Sequence, residues 1–445
     1  MTPAPNVISA GDTAWVLIST ALVMLMVPGL ALFYGGLVRS RSSLNTLMMS
    51  VAALGVVTVQ WVVVGYSFAF DAGTPLLGGL SFAGLNGVGL EANASYAATV
   101  PHAAFSAFQA MFAGITVALI SGAVVERIRF GAYLVFVVAW TTLVYDPLAH
   151  WVWGDGGWLR SLGALDFAGG TVVHVSAGTA ALVAAVMLGR RRDATQVPHN
   201  VPFTMLGAGL LWFGWFGFNA GSALAANGVA ANALLTTHVA AATALTVWML
   251  LDLTRTGTST AVGAATGAVV GLVAITPAAG YVTPRAALLI GALAAVASYT
   301  AIQLRARTRV DDALDVFACH GVAGILGALL TGVFATKAVN PAGADGLLAG
   351  NAGQLGVQLL AVGATIALSG GVTAGILGAM RLVMQVRLPL DQEIRGVDLG
   401  EHGEEAYHGG DIGELAGRHV SIGDSVLLPA SEFMDRSAPA RVSAA

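Results

Sequence analysis

A polytopic α-helical membrane protein is what this sequence predicts, and three observations predict it. Of the 445 residues, 56% are hydrophobic and only 10% charged, where a soluble domain carries about 25% charged residues. Apolar runs long enough to cross a bilayer, about 20 residues each, recur eleven times along the chain. Basic residues collect in every second loop between those runs. A water-soluble globule, a disordered chain and a collagen-like repeat (57 Gly with no Gly-X-Y period) are excluded. So is a disulfide scaffold, because Cys319 is alone. A net charge of −4 without a basic patch gives no support to nucleic-acid binding.

The runs fall at 13–35, 44–70, 102–124, 130–150, 170–189, 202–222, 232–252, 259–277, 286–305, 313–334 and 355–381. Asp12-Thr13 is expected to open the first. No Lys or Arg precedes it, so no cleavable signal peptide is expected. One set of alternate loops holds eleven basic residues: Arg39, Arg41, Arg127, Arg129, Arg190 to Arg192, Arg255, Arg305, Arg307 and Arg309. The other set holds three, Arg160, Arg285 and Lys337. Basic loops stay on the cytoplasmic side. The expected placement is therefore a multi-pass protein of the cell's inner (cytoplasmic) membrane, N-terminus outside and C-terminus inside. Stretches such as Gly207-Ala208-Gly209 let helix backbones approach closely where lipid gives no hydrophobic drive. After the last run the composition changes: residues 382–445 hold eleven of the 24 acids and no long apolar run. The chain thus divides into a transmembrane domain, 1–381, and a cytoplasmic tail, 382–445, expected to be loose beyond about 410.

Runs five and ten share a pattern. The first reads Asp166-Phe-Ala-Gly-Gly-Thr-Val-Val-His174-Val-Ser-Ala177-Gly178 and the second Asp312-Ala-Leu-Asp-Val-Phe-Ala-Cys-His320-Gly-Val-Ala323-Gly324. Each has an acid at the start, a His eight residues later, then His-x-x-Ala-Gly. Five spans apart, they enter the membrane from opposite sides, the mark of a five-plus-five inverted repeat whose functional groups meet near the midplane. Ionisable side chains inside spans are functional candidates by default, so His174 and His320 are the first candidates. Two neutral imidazoles in contact offer one donor and one acceptor each. They suit a proton relay or a hydrogen-bonded strip lining a pore. No third ligand stands at usable spacing, so neither a metal nor another cofactor is expected. His238 has no symmetry partner and is expected to pack locally, whereas His102 and His150 lie near outer helix ends where water reaches. Trp151 and Trp158 read as an interfacial aromatic belt. In run six, Trp212-Phe-Gly-Trp215-Phe-Gly-Phe218-Asn-Ala-Gly-Ser222 sets Gly beside bulky rings and ends on polar groups, a pattern suited to a constriction with a polar mouth.

At this point the sequence resembles the ammonium transporter family, the Amt/Mep/Rh superfamily, in its bacterial form. The resemblance runs from about residue 12 to 408. It is carried by Asp166 to His174, Gly-Ala-Val-Val-Glu126-Arg127-Ile-Arg, Gly-Trp215-Phe-Gly-Phe218-Asn-Ala-Gly-Ser222, Thr276-Pro-Ala-Ala-Gly-Tyr, Asp315-Val-Phe-Ala-Cys-His320-Gly-Val and His402-Gly-Glu-Glu-Ala-Tyr407. It implies a homotrimer in the lipid membrane, one pore per subunit, moving ammonium or ammonia, with methylammonium as an analogue, in nitrogen uptake. It also implies that Trp153, Ser222 and Phe112 form an outer ammonium site, and that Phe112 and Phe218 close the pore beneath it beside Trp215. His174 and His320 would be the paired pore histidines, and Gly396 to Tyr407 a tail segment supporting control by a PII signalling protein. No enzyme activity is implied; the alternative is an ammonium sensor that signals through its tail with little transport.

Asp166 has two candidate roles beneath that outer site. Eight helical residues place it roughly 12 Å from His174, beyond hydrogen-bond reach. A helix cap is worth about 0.5–2 kcal/mol, and a fixed charge at that distance about 1.4 kcal/mol at an effective dielectric near 20. Asp312 opens run ten at the same spacing on the opposite side of the membrane, so a shared capping role is expected for both. On that reading Asp166→Asn keeps transport and Asp166→Ala loses it.

Overall fold

The computed structural model describes residues 7–192 and 197–407, with one short strand pair, Ser421–Ile422 and Ser425–Val426, in the far tail. The bundle consists of α1 (Ala10–Leu37), α2 (Ser40–Phe70), α3 (His102–Val124), α4 (Phe130–Ser161), α5 (Gly170–Leu188), α6 (Val201–Ala220), α7 (Gly228–Thr256), α8 (Ala261–Ile275), α9 (Pro284–Arg305), α10 (Phe317–Phe334) and α11 (Ala352–Val383). Ten of these are long and apolar enough to cross a membrane. With 15 residues, α8 rises only about 22 Å, short of a hydrocarbon core about 30 Å thick. Its path continues through a turn at 276–281, in which Ala278 N–H bonds Ile275 O at 2.9 Å. Thr276, Ala278 and Ala279 are fully buried. Irregular backbone at membrane depth is tolerated only when protein surrounds it, and here it does.

Helix ends follow local chemistry. Ser9, not Asp12, caps α1 by accepting from Asp12 N–H at 3.2 Å. Asp12 is left in the first turn, where it takes Thr99 Oγ1 at 2.7 Å and Ala226 N–H at 2.8 Å. Asn200, Asn227 and Thr260 cap α6, α7 and α8. Small residues set the crossing of α1 on α6: a Cβ on Gly207 would lie 2.3 Å from Phe33 N.

The loops gather on two faces. On one lie Asp12 and the 71–101 loop, which folds into two antiparallel hairpins, β1–β2 (Gly73–Thr74, Leu77–Gly78) and β3–β4 (Ala92–Asn93, Ala97–Pro101). These cover His102 and His150, both buried rather than open to water. His102 pairs with Tyr66, and the His150 ring nitrogens lie 3.1 Å from Ala69 O and 2.8 Å from Thr74 O. On the other face basic loops interlock. Glu126 takes Arg39 at 2.6 Å and Arg191 at 2.9 Å; Asp311 takes Arg191 at 2.8 Å and Arg127 at 2.7 Å. Burial works to raise the Asp311 carboxyl, but Arg191 and Arg127 outweigh it and hold it at about 2. Burial also lowers Arg127 to about 10.

Residues just past α11 dock onto this basic face. Arg129 N–H bonds Val386 O at 3.0 Å and Leu388 N–H bonds Arg127 O at 2.9 Å, an antiparallel bridge centred on Ile128 and Arg387. Two short helices follow, α12 (Leu390–Arg395) and α13 (Val397–His402). Asp398 accepts from Leu44 and Asn45 N–H at 3.0 and 2.8 Å, and Glu401 from Phe130 N–H at 2.8 Å. By its contacts the chain forms one unit over Met1–Glu404 and a second over Glu405–Ala445. The expectation of a loose tail beyond about 410 falls, apart from the strand pair, outside the described residues.

Candidate functional site

The site is built on the crossing of α5 and α10. Both open with a wide π-type turn, Gly170–Val175 and Phe317–Val322, a feature frequent at functional sites. The glycines of the repeated His-x-x-Ala-Gly pattern make the crossing reciprocal. A Cβ on Gly178 would sit 2.2 Å from Gly321 N, and one on Gly324 would sit 3.0 Å from His174 Cβ and 3.1 Å from Gly170 O. Each glycine therefore clears space for the other helix's histidine turn. The result is a buried imidazole pair, His174 Nδ1 to His320 Nδ1 3.3 Å, rings 5.3 Å apart and 21° from parallel. A hydrogen bond between two Nδ1 atoms requires that one neutral ring donate and the other accept, the tautomer deciding which. Both rings are nearly inaccessible, 1% and 3% exposed. His174 Nε2 has no side-chain or backbone partner among the described residues.

The pair faces a narrow cavity of about 10 Å³, close to the size that holds one water-sized molecule. Its other walls are apolar and come from helix faces spaced i, i+4, i+7: Met26, Leu30 and Phe33 from α1, and Leu211, Trp215 and Phe218 from α6. Ile115 and Leu119 continue the same stripe of α3 as Phe112. The Trp215 ring lies parallel to His174 at 5.4 Å, and its indole N–H is fixed on Thr276 Oγ1 at 2.9 Å.

Above the cavity the Phe112 and Phe218 rings stack at 4.2 Å and 25°, and both are buried. Trp153 meets Phe112 edge-on at 6.3 Å. Ser222 donates to Phe218 O at 2.8 Å, which leaves its oxygen lone pairs as acceptors. The Trp153 N–H is bound to Asp166 O at 2.9 Å, so the indole meets its other neighbours with its ring.

Asp166 explains that anchorage. Gly169 takes φ 113°, a left-handed turn that suits glycine and folds the loop back over its acid. Asp166 Oδ1 accepts from Gly169 and Gly170 N–H at 2.8 and 2.6 Å; Oδ2 accepts from Thr171 and Val172 N–H at 2.8 and 3.1 Å, and from the Thr171 hydroxyl. This goes beyond a single cap. Both oxygens meet donors, so the amide NH₂ of an asparagine would face N–H groups, and the expectation that Asn preserves the arrangement is revised. Asp312 lies at the equivalent place on the opposite face, where its Oδ2 accepts from Phe317 N–H at 2.7 Å.

Trp153, Phe112, Phe218, Trp215, His174 and His320 thus form one connected column. His238 is not in it: it is exposed on α7, beside Trp212 and Phe216 at 5.4 and 6.2 Å. The wall residues Met26, Leu30, Phe33, Ile115, Leu119 and Leu211 were absent from the sequence candidates. Their only signal is the spacing, since neighbouring lipid-facing positions are equally apolar.

The sequence model of the Ammonium Transporter Family matches residues 14–407. An ammonium transporter of Bacillus subtilis (strain 168) is 49% identical over 399 residues, 89% of this chain and 98% of its own. The crystal structure of Candida albicans Mep2 superposes with a TM-score of 0.83 at 40% identity, covering 90% of each chain. A structure titled Sensor Amt Protein superposes at 0.79 with 29% identity, covering 88% of this chain and 98% of its own.

Proposed function

This chain belongs to the ammonium transporter family, and on that premise we propose that it recognises ammonium at Trp153, Phe112 and Ser222, strips it of a proton and conducts ammonia past the histidine pair. The observation that carries this reading is the buried imidazole contact at 3.3 Å inside an otherwise apolar cavity. Ammonium has four donors, no acceptor and one charge. An indole face attracts such a cation by about 0.5–2 kcal/mol, and the Ser222 oxygen accepts a hydrogen bond. Beneath them, stacked phenyl rings and aliphatic walls make carrying the bare ion costly. Ammonia passes that barrier neutral, and the proton is left outside or handed along His174 and His320. Potassium, similar in size, has no proton to shed.

Asp166 acts as a positioning residue: it holds the loop whose carbonyl anchors Trp153. The basic face is the cytoplasmic one, by its Arg content. The protein works as a homotrimer, with a PII-type protein binding at that face near Gly396 to Tyr407. Transport is favoured over sensing by the relatives: 49% identity to a transporter against 29% to the sensor.

The deciding experiment is electrical recording from protein in liposomes under ammonium, methylammonium and potassium gradients. The double variant His174→Ala/His320→Ala is expected to remain folded and to lose selective ammonium transport. Wild-type flux that still excludes potassium in that variant would end the relay reading. Failure of any PII-type protein of the same organism to co-purify, across nucleotide conditions, would remove that partner.

A further inference from the structure

A carboxyl group that the pore does not use lies where α2 meets α4. Each helix widens into a π-type turn there, Trp61–Gly65 in α2 and Thr141–Tyr145 in α4, the kind of register change that collects at functional sites. Gln60 stands just before the first turn and Asp146 just after the second. Both are buried, Asp146 completely. The Gln60 amide spends its two N–H groups on Asp146 Oδ2 at 2.6 Å and Thr142 Oγ1 at 3.1 Å. Its own carbonyl, Oε1, and the second carboxyl oxygen, Asp146 Oδ1, are buried and meet no donor among the described residues. The Thr142 hydroxyl is committed to Val138 O at 2.8 Å. No Lys, Arg or His forms an ion pair with Asp146 among the described residues.

Two buried acceptors, on groups already joined by one hydrogen bond, therefore lack a single proton between them. A carboxylate cannot supply it, but a carboxylic acid carries one O–H donor. An anion without a counter-charge inside a span is costly. We propose that Asp146 is carried as a neutral carboxylic acid that donates from Oδ1 to Gln60 Oε1, closing a reciprocal acid–amide pair that positions the Trp153 end of α4. Asp146, His150 and Trp153 are spaced i, i+4, i+7 and so share one face of that helix. His150 ties the next turn to Ala69 O at the end of α2, and Trp153 follows. Asp146 is thus a positioning residue for that ring, and this part of the inference rests on the reading of Trp153 as an ammonium site. It is the inverse of Asp166, whose two oxygens both meet N–H donors. Asparagine, a poor substitute there, suits this place.

The test compares full-length protein in liposomes by infrared spectroscopy at neutral pH. The difference spectrum, wild type minus Asp146→Asn, is expected to show the carbonyl band of a protonated carboxyl group. Gln60→Leu should keep that band and move it to higher wavenumber, as a carboxyl freed from its hydrogen bonds does. Asp146→Asn, whose NH₂ replaces the acid O–H, should melt and take up methylammonium as wild type does. Asp146→Ala leaves Gln60 with an unmet donor and an unmet acceptor; it should melt several degrees lower and raise the half-saturating methylammonium concentration. A difference spectrum without the protonated band, or a band indifferent to Gln60→Leu, overturns the acid–amide pair. Asp146→Asn that melts as low as Asp146→Ala overturns it too. Wild-type half-saturation in a folded Asp146→Ala overturns the positioning role. The infrared outcome stands whether or not Trp153 binds ammonium, so the two readings fail separately.

Discussion

The start of α5 and the start of α10 carry the same spacing of acid, histidine and glycine, yet the two ends are furnished differently. At α5, Asp166 spends both carboxylate oxygens on four backbone N–H groups and one hydroxyl, and the loop it closes anchors Trp153. At α10, Asp312 uses one oxygen on Phe317 N–H, and Oδ1 has no partner among the described residues. Its neighbour Asp311 joins the arginine network instead. What the two ends share is the scaffold of the crossing. What they do not share is the anchored ring: Asp166 O holds Trp153, which meets Phe112 above the histidine pair. Repetition built the frame, and departure from repetition built the site.

The sharpest way to break that comparison is at the glycines. Gly178 meets backbone at 2.2 Å and Gly324 meets its nearest atom at 3.0 Å. Gly178→Ala is therefore expected to cost about 1–3 kcal/mol or to prevent folding, as overpacking does, and Gly324→Ala less than about 1 kcal/mol. Equal melting temperatures for the two purified variants would show that the crossing is not as tight on one side as its geometry implies. Next in size is the pair of acids. Asp166→Ala orphans four buried N–H groups, a loss of about 3 kcal/mol or more, and is expected to abolish uptake. Asp312→Ala should cost about 1 kcal/mol and leave measurable uptake. Asp166→Asn should lie close to Asp166→Ala, since either oxygen replaced by NH₂ confronts donors. Full uptake in Asp166→Asn would mean that one oxygen suffices.

Phe218→Ala removes half of the stacked ring pair and is expected to leave the protein inserted while raising flux or admitting larger cations several-fold. Unchanged methylammonium kinetics would reduce that ring to packing. The smallest effect concerns pH. The folded Asp311 carboxyl lies near 2, below its ordinary 3.8, so its contribution to stability is present above about pH 4 and is lost as pH falls toward 2. Wild type should therefore outlast Asp311→Asn in thermal melts at pH 7, with the gap closing in acid; a constant gap from pH 7 to 3 would remove the linkage.

Much of this architecture could be read from composition. All eleven apolar helices, the short α8 among them, were legible because hydropathy alone marks a helix in lipid, and the histidine pair because symmetry singles it out among nine His. The wide turns at 170–175 and 317–322 were not legible, since a change of hydrogen-bond register leaves no trace in composition. Nor were the pore walls. In a soluble helix a functional face stands out against polar neighbours, but on α1 Leu30 faces the cavity while Leu17, the same residue type, faces outward. His102 and His150 were misplaced as water-accessible because the hairpins that cover them are short, local folds of the 71–101 loop, which has no helical or strand run long enough to mark them.

The antiparallel bridge between 127–129 and 386–388 has an evolutionary corollary. Its hydrogen bonds join main chain to main chain, and peptide groups are the same whatever side chains they carry. Attachment of this stretch is therefore permissive: Val386 and Leu388 can drift widely without detaching it. Proline is the exception, because it lacks the N–H that position 129 or 388 must donate. Homologues that have lost this attachment would betray it by a proline at one of those two positions rather than by any loss of resemblance around them.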